Sequence, residues 1–355
     1  MSQSDESEVR EDDQPSDKLR RRADESSLKL RLLMDADRLV VTAGLVGFVF
    51  LAVLLVGIAH PTDAATLLAD GDPVETLFQA FVTAIITGVT LVLTLNQLVL
   101  SQELGAVGDQ RDRMEGAMTF REDVREVVET AVTPAEPSAL LRALVLTSRD
   151  RAEALREATA DTDDETLREQ VDELTDSLVE NAESVASDLE GATFGEFDVV
   201  FAALDYNYSW KIHAVRRVRT EHRDVLSDDA VAALDDLEDV LSLFGPAREH
   251  VKTLYFQWEL VDLSRAIAYA AVPALVSTTA MLVFFDADAP LFAGQTLGVS
   301  HTLVVLAAAV AIAVVPFALL LSYVARIATV TKRTLSIGPF ILRETDRGTD
   351  DGGNR

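Results

Sequence analysis

A file of hydroxyl and amide side chains runs through one apolar stretch of the sequence. Its members recur every three or four residues, and at about 100° per residue they project into a helical arc of about 80°. Such groups can act as weak ligands for a hydrated ion, or they can bond helices to one another. The file, here called the polar stripe, consists of Thr76, Gln79, Thr83, Thr87, Thr90, Thr94, Gln97 and Ser101.

The polar stripe has two interpretations, and both keep it away from lipid, where amides and hydroxyls lack hydrogen-bond partners. As an interhelical polar face it would bond packed helices, at around 0.6 kcal/mol per contact. As the wall of a conduction pathway it would offer exchangeable ligands to ions. Packing is the simpler interpretation, whereas the length of the stripe and its two glutamines favour a pore. Either role falls on Gln79, Thr83, Thr87, Thr90, Thr94, Gln97 and Ser101.

Other residue types that could support chemistry form no recognisable constellation. The sequence has no Walker loop, dinucleotide fingerprint, His-Glu-x-x-His motif or nucleophile elbow. It has no cysteine, which excludes disulfides, thiolate metal sites and cysteine nucleophiles. The histidines do not pair at metal-ligand spacing. We therefore expect no catalytic residues, no cofactor and no metal site, and no enzymatic activity.

The polar stripe lies in the second of four charge-free apolar runs, at residues 39–59, 76–100, 266–285 and 302–325. Each run reaches the roughly 20 residues that a helix needs to cross the hydrocarbon core of a bilayer. The first run is too long for a signal peptide and follows a polar leader, so we expect it to be retained. The sequence thus predicts a membrane protein with four spans.

The distribution of lysine and arginine predicts the orientation of these spans. The connections 60–75 and 286–301 contain neither residue, whereas basic residues flank every other span end. The positive-inside rule then places the N-terminus, the middle region and the C-terminus in the cytoplasm, with the spans in the cell membrane. A basic cluster ahead of the first span obeys this rule and could also contact anionic lipid headgroups. It consists of Lys18, Arg20, Arg21 and Arg22.

The middle region shows helical periodicity throughout and no sustained strand alternation. Helices are predicted over about 138–160, 164–189 and 197–226, and from Ser227, an N-cap residue, to the breaker Gly245-Pro246. The second has an apolar seam typical of one helix in an antiparallel bundle. The seam consists of Leu167, Val171, Leu174, Leu178, Ala182, Val185 and Leu189.

The predicted fold is therefore all-α: two transmembrane hairpins with a cytoplasmic helical bundle inserted between spans 2 and 3. The expected segments are a disordered acidic tail (1–17), a basic juxtamembrane segment (18–38), hairpin 1 (39–100), an acidic helical domain (101–265), hairpin 2 (266–325) and a cytoplasmic tail (326–355).

Charge adds a constraint on environment and partners. The chain has 59 Asp and Glu against 31 Lys and Arg, a formal net charge of -28, and few lysines. In molar salt the Debye length falls to about 3 Å, which removes most of the resulting self-repulsion. Such composition is typical of halophilic archaea. It also makes nucleic acid an unsuitable partner.

The run TLVLTLNQLVLSQELGAVGDQRDR at residues 90–113, followed by the acidic helical insert, resembles uncharacterised multi-pass membrane proteins of halophilic archaea. That resemblance implies a location rather than an activity. The order of hairpin, cytoplasmic helices and second hairpin is also similar in outline to bestrophin-type anion channels, a likeness of architecture without a matching filter motif.

Three classes of function fit these features. The simplest is a membrane scaffold or sensor whose acidic domain docks a cytoplasmic protein partner or reports the state of the membrane. The alternative is a homo-oligomeric ion channel lined by the polar stripe. A second alternative is a membrane enzyme with an unrecognised site. In each case the lipid bilayer is the principal partner.

Overall fold

The computed structural model describes residues 37–60, 72–192, 197–286, 294–296 and 298–334, and these are almost wholly helical. The predicted tail 1–17 and the end of the predicted tail 326–355 lie outside the described residues. The elements in chain order are α1 (Arg38–Ala59), α2 (Asp72–Glu103), α3 (Val107–Val127), α4 (Pro137–Thr159), α5 (Glu165–Leu189), α6 (Phe197–Leu204), α7 (Tyr208–Glu221), α8 (Asp228–Phe284), β1 (Gln295–Thr296), β2 (Val299–Ser300) and α9 (His301–Thr334).

The all-α prediction is confirmed for the described residues, in which the strands β1 and β2 form only a short antiparallel pair. Four helices, α1, α2, α8 and α9, are long and apolar enough to cross a membrane. They coincide with the four predicted runs. A chain with four such helices is associated with a membrane.

The chain divides into two units. The acidic unit comprises the described parts of Arg113–Tyr255 together with residues 332–334, and the apolar unit comprises the described parts of Glu25–Asp112 and Phe256–Thr331. Helix α8, 57 residues long, contributes its first half to the acidic unit and its second half to the apolar unit.

In the apolar unit, α2 packs against α8 and α9 along one face. Ile85 of α2 is buried against Ala271 and Ala274 of α8. Val92 of α2 is buried with Leu263 of α8 and with α9 residues that include Leu319 and Tyr323. This interface therefore fixes the rotation of α2 about its own axis.

Helix α1 lies antiparallel to α9. Near the start of α1 the hydroxyl of Thr42 is 3.2 Å from that of Ser322, which lies late in α9. Near its end Gly57 approaches Leu303 at the start of α9 so closely that a Cβ atom would clash with the leucine side chain. Glycine at position 57 thus lets the Leu303 side chain pack directly against the backbone of α1.

The acidic unit is a helical bundle with its own core. Helix α5 packs against α4, α6 and α7, and its whole predicted apolar seam is buried. Ser227 caps α8 as predicted, since its hydroxyl accepts a hydrogen bond from the amide of Ala230 at 3.1 Å. The predicted helical bundle is therefore confirmed for this part of the chain.

Two predicted boundaries in this unit are wrong. The helix expected over 197–226 is divided into α6 and α7, because Tyr206 turns into the core. Its hydroxyl lies 2.5 Å from Ser148 Oγ, and its ring packs edge-on against Phe244, with centroids 4.7 Å apart. Burying an aromatic ring with its hydroxyl bonded outweighs continuing the helix through three residues.

Gly245-Pro246 does not end a helix, because α8 continues through it. A Cβ atom at position 245 would lie 2.9 Å from the ring of Tyr208, so the glycine makes room for an aromatic side chain. Proline removes one backbone donor from the helix, but Phe244 before it and Ala247 after it are both buried and hold α8 in the core on each side of this position. The pair is a packing feature of α8 rather than a breaker.

The N-cap of α5 makes the stability of the acidic unit depend on pH. The amide of Leu167 donates a hydrogen bond of 3.0 Å to Asp164 Oδ1, and this bond lowers the pKa of the Asp164 carboxyl. A group with a lowered folded-state pKa stabilises the fold above its unfolded pKa, and this stabilisation is lost as the pH falls through the folded value.

We therefore expect Asp164→Ala to lower the thermal stability of the protein at pH 7, because the cap is lost. The difference from the parent should shrink as the pH falls below about 4, the region in which aspartate is protonated. Thermal melts followed by circular dichroism at several pH values measure this. Asp163→Ala, at the exposed neighbouring position, is the matched control and should match the parent at every pH; a pH-independent loss for Asp164→Ala contradicts the explanation.

Candidate functional site

The packed face of α2 determines where the polar stripe points. Val74, Phe78, Ile85 and Val92 are all buried and lie on one side of the helix. At about 100° per residue the centre of this face lies about 160° from the centre of the polar stripe. The stripe is therefore on the side of α2 that faces directly away from the other helices of the apolar unit.

Exposure agrees with this geometry. Every residue of the polar stripe is exposed, whereas Asn96, which lies off the arc, is half-buried on the packed side. Between residues 73 and 101 no apolar residue falls within the arc of about 80°, while exposed leucines and isoleucine border it. The stripe is thus a narrow polar band on an apolar surface, bordered by Ile86, Leu93 and Leu98.

Five of the six hydroxyls of the stripe bond to their own helix. Thr87 Oγ1 donates to the carbonyl of Thr83 at 2.8 Å, and Thr90 Oγ1 donates to that of Ile86 at the same distance. Thr83, Thr94 and Ser101 donate in the same way, over 3.1, 2.9 and 2.7 Å. None of these five hydroxyls bonds to another helix within the described part of the chain.

This pattern has a chemical consequence. A hydroxyl has one donor hydrogen and two acceptor lone pairs. Once the hydrogen is committed to a backbone carbonyl, the oxygen can only accept hydrogen bonds or coordinate a cation from the exposed side. The amides of Gln79 and Gln97 lie near the two ends of the stripe and make no hydrogen bond with any described residue. Each amide can therefore still donate hydrogen bonds through its nitrogen and accept them through its oxygen.

Comparison with known proteins identifies the family. The sequence model of a family of unknown function (DUF7972) matches residues 1–354. The chain belongs to the DUF7972 family. No curated protein and no solved structure matches this DUF7972 chain.

A second polar feature of the DUF7972 chain joins three of its apolar helices. Arg38 at the start of α1 forms an ion pair with Glu259 of α8, and its guanidinium lies 4.7 Å from the ring centroid of Tyr323 on α9. The Glu259 side chain is only 4% exposed and that of Arg38 is 21% exposed. Arg326, one turn after Tyr323, is also buried.

Sequence patterns do not predict the Arg38–Glu259 pair, because its members are separated by 221 residues and neither lies inside a charge-free run. One local signal pointed to it: Glu259 follows the aromatic group Tyr255, Phe256 and Trp258, which predicts an interface rather than open solvent. A buried carboxylate in such a place needs a cationic partner.

The predicted lipid-contacting residues Lys18, Arg20, Arg21 and Arg22 lie outside the described residues. Their role remains a prediction. The polar stripe, in contrast, lies entirely within described residues, and its orientation is the observation on which a functional proposal can be built.

Proposed function

We propose that this protein is a homo-oligomeric membrane channel in which copies of α2 surround a water-filled path for ions. The observation that carries the proposal is the direction of the polar stripe, which faces away from the packed helices of its own chain. The stripe then needs water or a second copy of itself, because hydrocarbon offers nothing to its acceptor oxygens and free amides.

The stripe has the extent that a conduction path needs. It runs for 26 residues, from 76 to 101, and at about 1.5 Å per residue this is close to 40 Å, more than the ~30 Å hydrocarbon core. Hydroxyl side chains follow one another every three or four residues, so an ion would meet weak sites about 5–6 Å apart. Multiple weak sites are what rapid conduction requires.

A membrane scaffold or sensor is the second candidate. The observation in its favour is the acidic unit, which has a complete core of its own and exposes many carboxylates, as a docking domain for a cytoplasmic protein would. On this hypothesis the polar stripe is a dry contact between copies and carries no current. The membrane-enzyme alternative has no observation in its favour.

The proposal includes an orientation and an environment. Lysine and arginine flank the apolar helices at Arg38, Arg111, Arg265 and Arg326 but are absent from the connections 60–75 and 286–301. This asymmetry supports cytoplasmic termini and a cytoplasmic acidic unit in the cell membrane. The net charge of -28 supports a salt-rich cytoplasm, as in halophilic archaea.

Cross-linking tests the proposed assembly. The chain has no cysteine, so a single introduced thiol reports on one position. With Thr87→Cys in native membranes at high salt, a short bis-maleimide should convert most of the chain into cross-linked dimers, the largest product that one thiol per chain allows, because the residue faces a shared axis.

The matched control is Leu91→Cys, which is 57% exposed on the same helix but outside the arc of the stripe. It should remain largely monomeric after the same treatment. Equal cross-linking at both positions, or a purified protein with the mass of one chain, contradicts the proposed arrangement of α2 around an axis.

A further inference from the structure

We infer that the polar stripe selects monovalent cations over anions. The inference rests on the proposed channel and names the ions that the same surface would carry. It follows from the direction of the hydroxyl hydrogens along α2, which the sequence alone does not reveal.

Five of the six hydroxyls of the stripe can serve only as acceptors. Those of Thr83, Thr87, Thr90, Thr94 and Ser101 all donate to backbone carbonyls of α2. Their oxygens therefore present lone pairs to the exposed side, and lone pairs coordinate cations. An anion needs N–H or O–H donors, and along the central part of the stripe these donors are already used.

The donors that remain on the described stripe side chains are the amides of Gln79 and Gln97 and the hydroxyl of Thr76. Each lies near one end of the stripe, and an amide also offers its carbonyl oxygen to a cation. Between Gln79 and Gln97, about five turns apart, the side chains of the stripe offer hydroxyl oxygens only. An anion would lose its hydration there without replacement, whereas a cation would exchange water oxygens for hydroxyl oxygens.

The charge near the stripe is negative, and it favours cations as the hydroxyl oxygens do. No lysine or arginine occurs between Arg38 and Arg111. Glu75, immediately before the stripe, is exposed. Carboxylates at the mouth of a narrow path raise the local concentration of cations and lower that of anions.

The neutral character of the stripe favours monovalent over divalent cations. Calcium sites are built largely from carboxylates, and magnesium gives up its water reluctantly. The stripe contains no carboxylate between Thr76 and Ser101, so it would hold a divalent ion too weakly to replace its hydration. Potassium and sodium, whose hydration shells are held less tightly, match neutral oxygens better.

The test is the reversal potential of the purified full-length protein in planar bilayers, under a tenfold gradient of KCl. Cation selectivity predicts a reversal potential close to that of potassium, about 59 mV from zero. Replacement of chloride by a large organic anion should leave the current unchanged. Thr90→Ser, which keeps the hydroxyl, should preserve the ratio of potassium to chloride permeability.

Each negative result contradicts a different part of the proposal. A current that reverses near the chloride potential overturns the cation inference and leaves the channel standing. A current carried best by calcium overturns the choice of monovalent ions. Absence of current from a protein that cross-links through Thr87→Cys overturns the channel itself and the inference with it, and supports the scaffold.

Discussion

The double substitution Thr87→Val and Thr90→Val is expected to reduce the unitary conductance by about tenfold or more. Valine has nearly the shape of threonine, and both positions are exposed, so the packing of α2 within its own chain should not change. Each subunit loses two adjacent acceptor oxygens. The middle of the path becomes an apolar constriction, which ions cross only after losing water without compensation.

A tenfold loss corresponds to about 1.4 kcal/mol added to the barrier. A ring of hydroxyls contributed by several subunits is sufficient to account for a barrier change of this size. Single-channel recording of both proteins under the same salt measures the effect directly, and cross-linking confirms that the variant still assembles.

Thr278→Val is the matched control for this experiment. Thr278 in α8 is fully buried and donates to the carbonyl of Ala274 at 2.9 Å, as the stripe threonines do to α2. It differs from them in facing the core of the apolar unit. We expect the conductance of the Thr278→Val variant to equal that of the parent. If the stripe variant also conducts normally, the stripe does not line the path.

Glu259→Leu is expected to destabilise the apolar unit by about 3 kcal/mol, because Arg38 is left largely buried without its carboxylate. For a unit of this size each kcal/mol lowers the melting temperature by about 2–4 °C, so a fall of about 6–12 °C should result. Thermal unfolding in detergent at high salt measures it. The loss should be large because α1, α8 and α9 meet at this pair and at Tyr323.

Two further variants separate the ion pair from a general effect of the substitution. Asp262→Leu removes a carboxylate from the same helix, but Asp262 and its partner Arg265 are mostly exposed, so the melting temperature should hardly change. Arg38→Met combined with Glu259→Leu removes both charges and should recover much of the lost stability. Strictly additive losses in that double variant would show that the two side chains do not act as a pair.

Local pattern predicted most of the helices and the composition of the stripe. Four charge-free runs, the apolar seam of α5 and the cap at Ser227 are features of neighbouring residues, and the structure has each of them. Local pattern failed at Gly245-Pro246 and at Tyr206. In both places a contact between residues far apart in the sequence decides the backbone conformation: Tyr206 packs against Phe244, and Tyr208 packs against Gly245.

The sequence by itself determined that eight polar residues share one face of α2 and that nothing apolar interrupts them, because helical periodicity depends only on residue order. Tertiary structure decided which way that face points. Packing of Val74, Phe78, Ile85 and Val92 sets the rotation of α2 so that the stripe points away from the other helices of the apolar unit. Tertiary structure also decided that Arg38 meets Glu259, since contacts across 221 residues follow from the packing of whole helices and from no local rule.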